Sequence, residues 1–256
     1  MPKVALLLLA TGKPYWKYID PMLRSAYQNF IPHDVFLWTD CTEPVAVCGG
    51  SRIIPLEPQG FPGTTLLRYH TFRTEAKALA QYDYLFYVDI DAFFENKIEP
   101  DEILANGITA TLHPGYLGTC GTPERRKEST AFIPCPFPKQ YFAGGFVGGA
   151  APAFLKMAAT IAAHIDQDSR RRITAVWHDE SHLNRFLYDN PAAKVLGAEF
   201  CYPAVGQEAF FNVGWQRKGN KLGPPKIRLI QKDFCRTCGE KARTNDNFCE
   251  EHKDNR

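Results

Sequence analysis

A large excess of either charge is missing from this chain. Its 30 Lys and Arg stand against 28 Asp and Glu, a net charge of +2 over 256 residues. That balance excludes a bulk basic field for gripping a polyanion, so nucleic acid is not an expected partner. A long hydrophobic run at the N-terminus is missing too: residues 4–10 are apolar but fall far short of the ~20 residues of a bilayer span, and no cleavage pattern follows them. Internal repeats and low-complexity segments are absent. The chain has eight cysteines, but Cys41, Cys48, Cys120, Cys135 and Cys201 are scattered, which reads as buried or free thiols rather than a disulfide framework. With neither signal nor membrane anchor evident, the expected location is the cytoplasm, where thiols stay reduced. What is present, 45% hydrophobic, 23% charged and 13% aromatic residues, is ordinary for a globular enzyme and excludes a disordered or fibrous chain.

Strand-like and helical patterns alternate along the first half. Residues 4–10 read as a buried strand ended by Thr11 and Gly12, and Ile19, Met22, Leu23, Ala26 and Phe30 set a helical period over residues 15–30. Residues 34–39 and 52–56 read as short strands, 64–81 as a second helix and 84–88 as another buried strand. Strands separated by helices of this length predict an α/β fold with a mostly parallel sheet flanked by helices, because parallel neighbours need a crossover of about a dozen residues. Helices are predicted at 151–168 and 180–188, and a last strand at 226–231. Residues 115–140 are irregular, with several prolines and the charged run 124–128; they are either a functional loop or a solvated insertion.

Asp89 and Asp91 follow an apolar strand, and in open α/β sheets ligands bind beyond the carboxyl ends of strands. Two carboxylates one residue apart in extended geometry point the same way and repel unless a cation or hydrogen-bond donors lie between them. A divalent ion with oxygen ligands, Mn2+ or Mg2+, meets that need and carries nucleotide phosphates; a structural turn is the plain alternative. A second acidic cluster, WHDESHLNRFL at residues 177–187, opens a helix. Leu183, Phe186 and Leu187 form its buried stripe, so Asp179 and Glu180 are expected in an exposed first turn, where acids also suit the helix dipole. His178 and His182 are four apart, but the Glu that a zinc-protease helix needs after its first His is replaced by Asp179. In FAGGFVGG, residues 142–149, the glycines do not have dinucleotide-binding spacing; they permit close backbone packing.

Composition changes after residue 232. Cys235, Cys238, Cys249 and His252 make two short knuckles with a ligand set that suits tetrahedral Zn2+. The expected organisation is a main domain at 1–232 and a zinc-binding tail at 233–256. From Lys232 onward six basic residues balance six acidic ones, so a structural cap or protein-docking knuckle fits the tail better than a nucleic-acid module.

In this order, YDYLFYVDIDAFF, TLHPGYLG, PERRKESTAFIP, YFAGGFVGG and AVWHDESHLNRFL resemble the family 6 retaining glycosyltransferases, over about residues 6–232. The resemblance implies a GT-A fold and α-1,3 transfer of N-acetylgalactosamine or galactose from a UDP-sugar to a galactose- or fucosyl-galactose-terminated glycan. It makes Asp89 and Asp91 a Mn2+ site bridging to the diphosphate, Glu180 the catalytic carboxylate beneath the anomeric carbon, and Asp179 an acceptor for a donor-sugar hydroxyl. Thr11, Gly12 and Tyr15 correspond to the uridine end, Arg68 to a donor-binding arginine and Lys232 to a lysine that clamps the diphosphate. Ala143, Gly144 and Gly145 fall beside the donor sugar, and their small size favours N-acetylgalactosamine. His113 and Trp177 match acceptor-site positions, and residues 115–140 a loop that closes over substrates. Lacking the anchor and stem of animal members, the chain resembles the simpler microbial or viral ones. The zinc tail is not part of the family pattern, and the family's acceptor-binding aspartate has no counterpart in residues 197–210. A glycan- or partner-binding protein without turnover is the rival from another class; the joint presence of Asp89, Asp91 and Glu180 argues against it.

Overall fold

Every residue from Val4 to Ala10 is buried, and the period of two sorts them into opposite layers. Val4, Leu6, Leu8 and Ala10 pack with Met22, Leu23 and Ala26 on one side, and Ala5, Leu7 and Leu9 with Tyr69, Phe72, Phe154 and Ile161 on the other. A strand covered on both faces is the centre of a helix–sheet–helix sandwich. The computed structural model describes residues 1–207 and 222–232. The predicted zinc ligands Cys235, Cys238, Cys249 and His252 lie outside the described residues.

The strands are β1 (Val4–Ala10), β2 (Asp34–Thr39), β3 (Arg52–Pro55), β4 (Tyr84–Val88), β5 (Ala92–Phe94), β6 (Ile108–Leu112), β7 (Phe142–Ala150), β8 (Lys194–Leu196) and β9 (Ile227–Leu229). The helices are α1 (Lys13–Trp16), α2 (Ile19–Asn29), α3 (Gly63–Leu66), α4 (Arg68–Thr74), α5 (Ala76–Leu79), α6 (Pro100–Ile103), α7 (Ala151–Arg170) and α8 (His178–Asp189). Seven strands form one sheet in the order β3-β2-β1-β4-β7-β6-β8, parallel except where β7 runs against β4 and β6. This is the mixed, mostly parallel α/β sheet the sequence predicts. Strands β5 and β9 pair antiparallel as a small second sheet. None of the described helices is long and apolar enough to cross a membrane.

Two predicted helices are broken. The period over 15–30 divides into α1 and α2, because Pro21 has no N–H and fits only in a first turn, so the longer helix starts at Ile19. Residues 64–81 divide at Leu67 and Glu75, whose backbone angles leave the helical region. The break makes Arg68 the first residue of α4 and leaves it buried. Close packing at the predicted glycine run is confirmed: a Cβ at Gly148 would come 2.1 Å from Phe86 and one at Gly149 2.0 Å from the Gly107 carbonyl.

Candidate functional site

The topology brings one set of strand ends to a single edge. Parallel β1, β2, β4 and β6 present their C-terminal ends there, and antiparallel β7 presents its start. Thr11 and Gly12 therefore follow β1, Asp89 follows β4, His113 follows β6, and Ala143, Gly144 and Gly145 open β7. The Asp89 amide donates to the Gly145 carbonyl at 3.0 Å, which continues the β4–β7 ladder into the site. The α8 helix lies against β7: Asn184 takes the Phe142 amide on its Oδ1 and donates to the Phe142 carbonyl, both at 2.9 Å. Glu180, one turn earlier, accepts the Gly144 amide on Oε2 at 2.9 Å.

Arg68 joins these elements. Its Nη1 donates to the Gly144 carbonyl at 2.9 Å and lies 3.4 Å from Asp89 Oδ1, while its Nε pairs with Asp179 Oδ2 at 2.8 Å. Its guanidinium also covers the Tyr87 ring at 4.5 Å. Burial would lower its pKa, but Asp179, Tyr87 and Asp89 together raise it, so it remains charged. Burial lifts Asp179 to about 7 against the pull of Arg68, with Glu180 and Asp89 adding to the rise. Glu180 also reaches about 7 through burial, restrained by the Gly144 amide, Tyr141 and Arg68. Burial pushes the Cys201 thiol up, and the charges of Asp89, Glu180 and Asp91 reinforce it.

Asp89 and Asp91 do not sit on one extended strand, as the sequence suggests. Strand β4 ends at Val88, and Ile90 and Asp91 form a turn before β5. Asp89 Oδ1 accepts the Tyr87 hydroxyl at 2.5 Å. Asp91 pairs with Lys232, which the β5–β9 pairing delivers: the Ile230 amide donates to the Asp91 carbonyl at 2.7 Å. Lys232 also lies 5.8 Å over the Tyr15 ring. Among the described residues no cluster of three or more His, Cys, Asp or Glu forms a metal site by itself. Two aspartates at a strand end nevertheless fit a hard divalent ion that keeps water and phosphate oxygens in its remaining positions. The acids Asp89, Asp91, Asp179 and Glu180 outnumber the cations Arg68 and Lys232 here, and that excess favours a bound cation.

The first turn of α8 is not exposed. Asp179, Ser181 and His182 are each 1% accessible, because the turn packs inward against β7 and Arg68. His178, just ahead of them, takes φ 50°, a left-handed conformation that costs a non-glycine residue of order 1 kcal/mol and marks a site where the chain is forced to turn. Trp177 is exposed and donates its Nε1 to Thr122 Oγ1 at 2.5 Å. His113 accepts the Gly115 amide on Nδ1 at 3.1 Å, and burial holds its pKa down near 4. At the other end Gly12, at φ 88°, donates its amide to Asp40 at 2.9 Å, and Thr11 Oγ1 lies 3.3 Å from Thr64 Oγ1.

Residues 117–140 are a loop tied down from below. Asp168 on α7 accepts the Ser129 hydroxyl at 2.6 Å and the Thr130 amide at 2.8 Å. Buried Glu124 is held near pKa 2: burial alone would raise it, but Arg126 and the Val176 amide lower it. Arg126 is thus bound to Glu124 and to the Thr174 carbonyl, while Arg125 and Lys127 are exposed. Sequence reasoning missed Tyr87, Tyr141, Asp40, Thr122, Glu124 and Cys201. Asp40, at the end of β2, carries the same strand-end signal that marks Asp89; the others carry none, because their roles arise from packing.

The chain is similar in sequence to known proteins. The profile of glycosyltransferase family 6 matches residues 66–210. The rat histo-blood group ABO system transferase 1 is 28% identical over 204 residues, covering 74% of this chain and 58% of the relative. The human globoside α-1,3-N-acetylgalactosaminyltransferase 1 is 28% identical over 248 residues, 89% of this chain and 65% of the relative. The human α-1,3-galactosyltransferase 2 is 29% identical over 240 residues, 86% of this chain and 69% of the relative. The chain thus spans less than two thirds of the length of the first two.

Proposed function

Because the chain belongs to glycosyltransferase family 6, we propose that it transfers N-acetylgalactosamine or galactose from a UDP-sugar to a glycan, in α-1,3 linkage and with retention. Two of these relatives are named for transfer of one or the other of these sugars. The observation that carries the reading is the double contact at Gly144. Its carbonyl accepts from Arg68, which reaches Asp89, and its amide donates to Glu180. Both carboxylates are thereby tied to one glycine, Glu180 directly and Asp89 through Arg68.

In this reading Asp89 and Asp91 hold Mn2+ or Mg2+, which when bound supplies Lewis-acid neutralisation of charge on the departing UDP. Thr11, Gly12 and Tyr15 receive the uridine, and Lys232 and Arg68 the negative charge of the donor. Glu180 stabilises positive charge developing at the anomeric carbon, and Asp179 accepts a sugar hydroxyl. Ala143, Gly144 and Gly145 present no bulk toward the sugar, which supports N-acetylgalactosamine. Trp177 offers an apolar face and His113 a polar edge to a galactose-terminated acceptor. Cys235, Cys238, Cys249 and His252 support a separate zinc site in the tail, available to a protein partner.

The test is UDP release from UDP-N-acetylgalactosamine and UDP-galactose with Mn2+ and galactose-terminated acceptors, wild type beside Glu180→Gln. Turnover by the wild type and a loss of at least about a hundredfold in the variant are expected. A wild-type chain that binds UDP but turns over neither donor would refute the reading.

A further inference from the structure

Tyr141 has a ring that is fully accounted for by packing and a hydroxyl that is not. The side chain is 2% accessible and immediately precedes β7. Its ring meets Tyr116 edge-on at 5.1 Å and His113 at 5.9 Å, and its carbonyl accepts the His113 amide at 2.9 Å. Gly121 closes the box: at φ 58° it passes so near that a Cβ there would lie 2.4 Å from Tyr141 Cγ. A phenylalanine would fill this box equally well.

The hydroxyl is buried and completes no strict hydrogen bond among the described residues, yet it faces Glu180 and Thr122. Leaving a buried O–H unpaired is costly, and a carboxylate is the strongest acceptor within its reach. Thr122 is itself the acceptor for Trp177 Nε1, and its hydroxyl lies 3.4 Å from the Tyr116 hydroxyl. The wall formed by His113, Tyr116, Thr122 and Trp177 therefore meets the helix carboxylate at Tyr141.

We propose that Tyr141 is a positioning residue for Glu180: its hydroxyl donates to the carboxylate that also accepts the Gly144 amide and fixes it in one orientation. This rests on the transferase reading for its kinetic consequence, though not for the contact. Two donors from the β7 segment aimed at one carboxylate hold it more rigidly than the helix does alone. The effect on Glu180 is in the same sense, because the Tyr141 hydroxyl favours its charged form. The other ionisable groups around this carboxylate are Asp89 beyond β4, Arg68 and Tyr69 on α4, Asp179 on its own helix, and Cys201.

The test is Tyr141→Phe in the full chain, with Glu180→Gln and the double variant. A hydrogen bond to a charged group is worth enough to lower kcat about 10- to 100-fold. That loss is expected equally in transfer and in donor hydrolysis without acceptor, with both KM values within about twofold and the melting temperature unchanged. In the Glu180→Gln background Tyr141→Phe should add nothing. Carboxylate infrared spectra, with Glu180→Gln as the blank, should show Glu180 titrating about one unit higher in Tyr141→Phe. The proposal fails if kcat is unchanged, if the loss lies only in acceptor KM or melting temperature, or if the two substitutions add. Should the wild type turn over no donor, the transferase reading falls, and the infrared shift alone still decides for or against the Tyr141 contact.

Discussion

The Gly144 amide and the Glu180 carboxylate are 2.9 Å apart, and the pair repeats one step along: Asn184 clasps Phe142. Four residues of helix rise about 6 Å and two residues of strand about 6.6 Å, so α8 and β7 advance in near register. Side chains at 180 and 184 thus meet backbone at 144 and 142. The catalytic candidate is consequently part of the joint between sheet and helix, and substitutions at the glycines separate reaction from folding.

Gly144→Ala and Gly148→Ala should differ sharply. A Cβ at Gly144 would lie 3.6 Å from Glu180 Oε2 and 3.8 Å from Arg68 Nη1, ordinary contact distances, whereas at Gly148 it would lie 2.1 Å from Phe86 and 2.6 Å from the Leu85 carbonyl. Gly148→Ala is expected to lose about 1–3 kcal/mol or fail to fold. Gly144→Ala should melt like the wild type while its donor KM rises. Thermal melts and donor saturation curves check both, and equal melting of the two variants would contradict the packing argument.

The pH dependence of activity and of stability should run in opposite directions. Glu180 must be ionised to shield a developing cation, so turnover should rise with pH through about 7. Its folded pKa is raised above the ordinary 4.5, chiefly by burial. Between those values the folded chain binds more protons than the unfolded one, so this contribution to stability is present below pH 4.5 and lost as pH rises through about 7. Glu180→Gln, neutral throughout, should therefore melt higher than the wild type at pH 8, with the gap closing by pH 5. A gap that does not change with pH would rule out a raised carboxylate.

The mostly parallel sheet and the burial of β1 were legible, because strands alternating with helices need crossovers and an unbroken apolar run must be covered on both faces. Asp89, Asp91, Asp179 and Glu180 were legible as chemistry but misplaced in geometry. The apolar stripe of α8 directed Asp179 to the surface, and nothing in the local pattern reveals that Arg68, 111 positions earlier, waits to receive it. Tyr141 and Thr122 were illegible for the same reason: a loop of irregular sequence defines their neighbours, and its anchors, Asp168 and Glu124, act across more than 35 residues. Long-range polar contacts leave no periodic trace.

The tail gives a prediction about metals. Cys235, Cys238, Cys249 and His252 should bind one Zn2+ per chain, and three thiolates make such a site slow to exchange with a mild chelator. The Asp89–Asp91 site, with two carboxylates, should lose its ion readily. Brief EDTA treatment is expected to abolish turnover, Mn2+ to restore it, and zinc content by elemental analysis to stay constant throughout. Cys238→Ser should lose the zinc. Zinc that leaves with the activity and is required to restore it would reverse the assignment.

Lys232 and Asp91 form an ion pair in which both side chains are largely buried, so a cation entering at Asp91 meets a competitor already seated there. Displacing the ammonium from Asp91 is unfavourable unless another anion receives it, and the diphosphate of the donor is such an anion. Divalent ion and nucleotide should therefore bind cooperatively, each making room for the other, with the coupling lodged in one side chain. Lys232→Met removes the competitor and the phosphate contact together. Calorimetry should find Mn2+ binding several-fold tighter without nucleotide in the variant, UDP binding weaker, and the cooperativity between them reduced. If Mn2+ binds the variant and the wild type equally in the absence of UDP, Lys232 does not guard the site.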